Sequence, residues 1–253
     1  MSAFRRRLAR RVSMALLVTG GVVYASWVLQ FVLPVHIDPV TSFISELSAV
    51  GQPFRRVFRT LDLIGGALLL LGGAAAWWQS RRWPGVWAPL VVLGTCIVLE
   101  ALLPLEESFT DVQLPDPGTS SWWARITEPH GVISFIETNA FLVLLVTCTL
   151  ALRRIDAPVR RRRALAVVGV AAALSGLVDA VLTAALLVNG DAVALGLVQR
   201  LGVTLTATWL ALAPTWLLWV TLHRRRHRES AAPAATGDPE RGTPPYDQQR
   251  KVS

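Results

Sequence analysis

The chain has 253 residues, of which 53% are hydrophobic and 17% are charged, and its formal net charge is +8. Ordinary soluble domains are about 45–50% apolar and about 25% charged, and here the apolar residues are concentrated ahead of a polar tail at 229–253. This composition excludes a disordered chain, a collagen-like chain and a disulfide-stapled secreted module. It favours a multi-pass membrane protein.

Six stretches are long and apolar enough to cross a membrane, since a spanning helix needs about 20 mostly apolar residues. The sequence therefore predicts an all-α membrane protein, a six-transmembrane-helix bundle within residues 13–222. A basic cytoplasmic N-terminus at 1–12 precedes the bundle, and a basic juxtamembrane segment with a disordered cytoplasmic tail follows at 223–253. The predicted spans are 13–34, 60–79, 86–105, 130–152, 164–188 and 196–222.

The arginines predict the orientation of these spans. Seventeen arginines flank the spans on one side against five on the other, and the positive-inside rule makes the first side cytoplasmic. An even number of spans then places both termini in the cytoplasm, with the protein in the plasma membrane. Tryptophans agree, because they fall at both predicted interfaces: Trp77, Trp78, Trp83, Trp87, Trp216 and Trp219 inside, and Trp122 and Trp123 outside. We interpret the basic charge as a membrane rim and expect no nucleic-acid partner.

The first outer loop contains a predicted short amphipathic helix at residues 37–51. Asp38 is a plausible N-cap, Pro39 suits the first helical position, and Gly51 is a plausible stop. Two interpretations remain open. The helix lies on the outer leaflet, or it is a lid whose polar side chains face a cavity between the spans. Those polar side chains are Ser42, Ser45 and Glu46.

Small residues on the second span predict close helix packing. Gly65, Gly66, Gly72 and Gly73 recur seven residues apart, which gives a small-residue face. Both cysteines, Cys96 and Cys148, lie inside apolar stretches, and we expect them to be buried, inert thiols.

Charges inside the spans are the most informative feature of the sequence. A charge at the centre of a membrane helix costs about 2.5–3.5 kcal/mol on insertion scales, so such residues usually face a bundle interior and have partners. Glu100, Glu137, Asp179 and Arg200 all fall in the outer half of their spans. The sequence therefore predicts an outward-facing polar cavity, with Asp179 and Arg200 as the expected pair. A buried ion pair that only fixes helix order is the alternative.

Histidines add candidate chemistry on the outer side. His130, Ser134 and Glu137 share one helix face, which could hold a proton relay, an activated serine or only a polar seam. A zinc site from His36, His130 and Asp38 is a further alternative, although we predict neither a metal nor another cofactor. The catalytic candidates, if the protein is an enzyme, are His130, Glu137 and Glu46.

Several of these residues form a pattern that resembles a known family. The segment Asp38-x-x-x-Ser42-x-x-Ser45-Glu46-Leu47-Ser48 is similar to a motif of the bacterial domain-of-unknown-function 998 family. Leu103-Pro104 with acidic residues after it, His130-Gly131 and Gln199-Arg200 also fit, over roughly residues 12–222. The resemblance implies a multi-helix membrane bundle and carries no catalytic residue over to this chain.

Three hypotheses about function remain open at this point. The protein binds or moves a lipid or small amphiphile, acts as a hydrolase or transferase on a lipid at the outer leaflet, or is a structural or regulatory subunit. Membrane lipids are the expected partners in each case. The predicted ligand-binding residues are Asp38, Ser42, Ser45, Glu46, Glu100, His130, Ser134, Glu137, Asp179 and Arg200.

Overall fold

The computed structural model describes residues 3–103, 105, 128–155, 158–189 and 194–231, and these residues contain helices and no strand. The predicted disordered tail, the outer tryptophans Trp122 and Trp123, and most of the second outer loop lie outside the described residues. Six α-helices are described: α1 (Ala3–Tyr24), α2 (Arg55–Gln79), α3 (Pro84–Leu102), α4 (Pro129–Arg153), α5 (Val159–Asn189) and α6 (Leu195–Ala231).

Five of these helices, α2 to α6, are long and apolar enough to cross a membrane. The first helix differs from its prediction, because α1 ends at Tyr24 and a 3₁₀ helix follows at Ser26–Phe31. The apolar part of α1 after the N-terminal arginines covers 12–24, which is roughly 20 Å at about 1.5 Å per residue. The remainder of the predicted span begins with this 3₁₀ helix, in which Gln30 is buried.

Glycines set the close approaches between the first three helices. Gly65 and Gly72 face α1, whereas Gly66 and Gly73 face α3, so α2 uses two small-residue faces instead of one. Gly94 of α3 is the tightest of these contacts, since a Cβ added there would lie 2.5 Å from the backbone nitrogen of Leu70. The predicted packing role of the glycines on α2 agrees with these contacts.

The core of the bundle is filled by leucines and two tryptophans, Trp87 and Trp209, which are almost completely buried. Cys96 and Cys148 are buried free thiols, as expected. Of the five helices α2 to α6, α5 is the least enclosed, because 17% of its most apolar stretch is buried, against 44% for α3 and for α6. Its outward face is apolar and suits contact with lipid; it includes Val167, Val170, Leu174, Leu177 and Val181.

The arginines on the predicted cytoplasmic side share one end of the bundle. Gln79 at the end of α2 donates a hydrogen bond to Ser13 of α1 over 2.6 Å. Trp83, just before α3, donates to Thr221 near the end of α6 over 3.2 Å. The end of α4 and the start of α5 also lie next to each other at this end. We call it the Arg-rich end, and we call the opposite end the Arg-poor end.

The first loop at the Arg-poor end is less helical than predicted. A 3₁₀ helix at Ile44–Ser48 replaces the continuous helix expected over 37–51. In a continuous helix the Ile44 amide would donate to the Val40 carbonyl. The Val40 carbonyl instead accepts hydrogen bonds from the Gly196 and Leu197 amides of α6. The Ile44 amide donates instead to the Gln199 side chain over 2.6 Å. Docking onto α6 thus competes with helix formation in the loop.

Candidate functional site

Carboxylates from three helices approach one another near the Arg-poor end. Glu137 of α4 accepts a 2.6 Å hydrogen bond from the Tyr24 hydroxyl of α1, and it lies within hydrogen-bonding reach of Glu100 on α3. Ser134 of α4 donates a hydrogen bond to Glu100. Asp62 of α2 lies close enough to act electrostatically on both glutamates. We call these five residues the acid cluster.

The acid cluster is buried at its centre and open at its edge. Glu137 is 8% exposed, and its Oε2 accepts no hydrogen bond from any described residue. Asp62, Glu100 and Ser134 are half-buried, so the cluster reaches the protein surface. Three acidic groups therefore share a small volume in which one carboxylate oxygen still lacks a donor.

The nearest arginine along α2 from Asp62 does not neutralise this cluster. Arg59 lies one turn before Asp62, but its Nε donates to the Ala101 carbonyl over 2.5 Å. Its Nη2 donates to the Leu102 carbonyl over 3.2 Å. Both carbonyls belong to the last turn of α3, where a cation interacts favourably with the helix dipole. The guanidinium is thus used to cap a helix.

Two members of the acid cluster, Asp62 and Tyr24, are absent from the sequence-based candidates. Asp62 lies two residues inside the predicted second span, where an acidic residue is easily assigned to the membrane surface. Tyr24 lies in the middle of the predicted first span and becomes terminal only because α1 ends there. Asp62 carried a usable signal, because it is an acidic residue inside a stretch that was predicted to span the membrane.

Arg200 forms a second polar site at the same end. Its side chain is 3% exposed and donates hydrogen bonds to the carbonyls of Ser42 (2.7 Å) and Gly196 (3.0 Å) and to Gln30 Oε1 (2.8 Å). The guanidinium also lies 5.9 Å from the centre of the Trp27 ring. Arg200 therefore joins α6 to the first loop and to the 3₁₀ helix Ser26–Phe31.

The predicted pair between Asp179 and Arg200 is wrong. Asp179 of α5 has no hydrogen-bond partner for its Oδ1 among the described residues. The physical reason is rotation about the axis of α6. Ser175 of α5 donates to the Val198 carbonyl of α6 and lies against Gly202. Residues 198 and 202 therefore face α5, and Arg200, two positions from each, points to the other side.

The four candidate residues of the first loop lie in different surroundings. Ser42 and Glu46 are buried, Ser45 is partly exposed, and Glu46 Oε1 accepts a 2.9 Å hydrogen bond from the Phe43 amide. Asp38 is exposed and accepts hydrogen bonds from the Val40 amide and the Thr41 hydroxyl. These two bonds hold the pKa of Asp38 below its usual value, and the charge of Arg200 acts in the same direction.

The histidines are separate from the acidic groups with which they were grouped. His130 Nδ1 lies 3.1 Å from the Leu103 carbonyl oxygen, and Ser134 is bonded to Glu100 instead of to His130. His36 is exposed. Within the described ranges, no three histidine, cysteine, aspartate or glutamate side chains are arranged to hold a metal ion. The residues His36, His130 and Asp38 thus do not form the zinc site that was the alternative.

Residues that are far apart in the sequence motifs meet in the structure. Leu103 contacts His130, Gln199 accepts from the Ile44 amide, and Arg200 donates to the Ser42 carbonyl. Comparisons with curated proteins and with solved structures find no match. The family model described as "Protein of unknown function (DUF998)" matches residues 6–216. This match covers most of the chain, which therefore belongs to the DUF998 family.

Proposed function

We propose that the protein is a six-span protein of the bacterial plasma membrane that binds the head group of a lipid or small amphiphile in the acid cluster. In this proposal α1 crosses the membrane together with the 3₁₀ helix that follows it. Both termini lie in the cytoplasm, and the acid cluster opens toward the outer side. Membrane lipids are the partners, and nucleic acid is not one.

The acid cluster supports this proposal because it lacks a cationic partner among the described residues. Glu137 lies about two turns inside α4, and a charge becomes more costly toward the centre of a span, where it reaches about 2.5–3.5 kcal/mol. A cationic head group would offset this cost and would supply a donor to Glu137 Oε2. We therefore expect an amine-bearing amphiphile to bind better than a neutral one of the same chain length.

The half-buried edge of the acid cluster supports access for such a molecule. Asp62 and Glu100 are half-buried, and their neighbours in sequence Leu63, Ile64 and Leu99 have exposed apolar side chains. An apolar tail could rest on this surface while the head group enters between the helices. An outward-facing polar cavity is thus our proposal for the side of the bundle that carries α2 and α3.

The geometry favours binding over catalysis. A nucleophilic serine needs a base within hydrogen-bond reach, and Ser134 donates to Glu100, a residue that already faces two other carboxylates. Among the described residues His130 contacts a backbone carbonyl and has no hydrogen bond to Ser134 or Glu137. Nothing in the described structure therefore favours the hydrolase or transferase hypothesis over the hypothesis that the protein binds a lipid or small amphiphile.

The test measures binding of dodecylamine to the purified protein, with dodecanol as the neutral comparison. A ligand that binds the folded state raises its thermal stability, so dodecylamine should raise the melting temperature more than dodecanol does. The double variant E100Q/E137Q should lose this difference. Glu128→Gln is the matched control, because Glu128 is exposed at the start of α4 and lies outside the cluster.

Two results would contradict the proposed function. Equal stabilisation of the wild-type protein by dodecylamine and dodecanol would show that the carboxylates of the acid cluster do not select the amine. Retention of the full difference by E100Q/E137Q would place the amine elsewhere. A double variant that melts at the wild-type temperature without ligand shows that the loss of binding is not a loss of folding.

A further inference from the structure

A second candidate ligand-binding site lies at the Arg-rich end, far from the acid cluster. A cleft of about 270 Å³ opens between the end of α4 and the start of α5. Leu145 of α4 lies close to Gly169 of α5 one turn deeper, since a Cβ on that glycine would be 2.3 Å from the leucine. The cleft is therefore closed toward the middle of the bundle. Its lining includes Thr149, Leu152, Arg153, Arg162 and Arg163.

The rim of the cleft carries three positive charges. Arg153, Arg162 and Arg163 line it, and no carboxylate among the described residues forms an ion pair with them. The one hydrogen bond made by their side chains within the described ranges is from Arg162 Nη1 to the Arg153 carbonyl, at 3.5 Å. Asp156 is the one acidic residue in 151–163, and it lies outside the described residues. No carboxylate of the described residues therefore competes with an anion for these guanidiniums.

The start of α5 adds further donors beside the same cleft. The first amides of an α-helix have no partner within the helix, and their dipoles favour an anion. Val159 begins α5 and lines the cleft, so these amides lie next to the three guanidiniums. Charge and backbone dipole thus favour the same class of ligand, a phosphate group.

The walls of the cleft are apolar and continue into the membrane-facing surface. Leu152, Val159, Leu165 and Ala166 line it, together with Thr149. Exposed side chains close to the cleft in sequence on the two helices are also apolar and include Val146, Leu150, Val167 and Val170. A free phosphate would use only the rim, whereas a lipid would use both the rim and the apolar surface.

We propose that this cleft binds the phosphate head group of an anionic phospholipid, whose acyl chains lie along α4 and α5. Its volume is smaller than the roughly 300–1,000 Å³ of pockets that enclose a whole small molecule. A site of this size fits a head group whose tails remain in the bilayer. Basic pockets between spanning helices bind lipid head groups in this way.

The position of α5 adds a structural role for this lipid. The helix packs chiefly against α6, and its contact with α4 is slight apart from the region of Gly169. A phospholipid held between α4 and α5 would complete the contact on the Arg-rich side. This inference does not depend on the proposed function, because it concerns the opposite end of the bundle.

Native mass spectrometry of the full-length protein, titrated with phosphatidylglycerol or phosphatidylcholine, tests the proposal. The double variant R162Q/R163Q should bind phosphatidylglycerol about thirtyfold more weakly than wild type, the loss expected for two arginines beside an anionic head group. The control is R81Q/R82Q, which removes the same charge at the same end but outside the cleft. Arg81 and Arg82 lie over the rings of Trp78 and Trp83.

A third variant separates shape from charge. Ala166→Phe would fill the apolar wall of the cleft and leave all three arginines in place. It should also weaken phosphatidylglycerol binding, whereas phosphatidylcholine binding should remain weak in every variant. A melting temperature measured for each variant without lipid identifies any change that is due to folding.

Three outcomes would overturn the proposal. An equal loss in R162Q/R163Q and R81Q/R82Q would mean that only total charge matters. Wild-type affinity in both R162Q/R163Q and Ala166→Phe would place the lipid elsewhere. Displacement of bound phosphatidylglycerol by an equal concentration of inorganic phosphate would mean that the rim binds a free anion and that the apolar walls contribute nothing.

Discussion

At the Arg-poor end, Arg200 and Glu137 are buried to a similar degree, at 3% and 8% exposed, but their partners differ in kind. Arg200 donates to two backbone carbonyls and one neutral amide, and these acceptors belong to three separate segments of the chain. Glu137 meets a tyrosine hydroxyl and other carboxylic groups, and one of its oxygens has no described donor. Arg200 therefore stabilises the fold, whereas Glu137 retains a carboxylate oxygen to which a ligand could donate a hydrogen bond.

Replacing Arg200 should have the largest effect on stability. Arg200→Leu leaves the Ser42 carbonyl and Gln30 Oε1 without their donor, and each buried polar group left unpaired costs about 1–3 kcal/mol. We expect a loss of about 3 kcal/mol, measured as thermal unfolding in detergent. Arg56→Leu is the control, because Arg56 is exposed at the same end. Equal melting temperatures for the two variants would contradict the structural role of Arg200.

A smaller effect is expected where the first loop contacts α6. A Cβ at Gly196 would lie 2.6 Å from the carbonyl oxygens of both Pro39 and Ser42. Gly196→Ala should therefore destabilise the protein by about 1–3 kcal/mol, the usual cost of overpacking. Gly176→Ala is the matched control, since nothing lies within 4 Å of a Cβ added there. Limited proteolysis of the loop at 37–48 measures whether it detaches, and equal cleavage of both variants would contradict the docking.

The acid cluster should tolerate substitution better than the Arg200 site. Tyr24→Phe removes one hydrogen bond to Glu137, and such bonds between membrane helices contribute about 0.6 kcal/mol on average. We expect a small shift in melting temperature and dodecylamine binding no weaker than in wild type, because Glu137 then has a further free oxygen. A destabilisation as large as that of Arg200→Leu would show that both sites are structural.

The smallest expected effect is a loss of stability of the first loop at acidic pH. Because the pKa of Asp38 is lowered in the folded protein, its contribution to stability is present above the ordinary value of 3.8 and is lost as the pH falls through the lowered value. Wild-type protein should therefore lose loop protection from proteolysis in this acid range. Asp38→Asn should show weaker protection at neutral pH and less change on acidification. An identical pH profile for both proteins would exclude a role for this carboxylate.

The sequence predicted depth in the membrane better than it predicted contacts. Glu100, Glu137 and Arg200 all lie toward the Arg-poor end, as the periodicity and the arginine count indicate. The pairing of Asp179 with Arg200 was wrong because depth says nothing about rotation around a helix axis. Tyr24 and Gln30 were missed because the apolar stretch gave no sign that the helix would end between them.

The prediction of a continuous helix in the first loop was wrong for a related reason. Its local signals are sound, since Asp38 does accept a hydrogen bond from the Val40 amide, but the Val40 carbonyl and the Ile44 amide both bond to α6. Those partners lie more than 150 residues away along the chain, as the 155-residue separation of Ile44 from Gln199 shows. Local sequence patterns carry no information about contacts at that range.

The attachment of the first loop to α6 also fixes the order of events during biosynthesis. Ile44 and its partner Gln199 are separated by 155 residues, and Gln30 and Arg200 by 170. At synthesis rates of about 5–20 residues per second, the loop leaves the ribosome roughly 8–30 s before its partner. The N-terminal helices can insert and pair during that interval, but the Arg-poor end closes only after the last helix is released. A nascent chain arrested before Leu195 would therefore carry its first loop undocked.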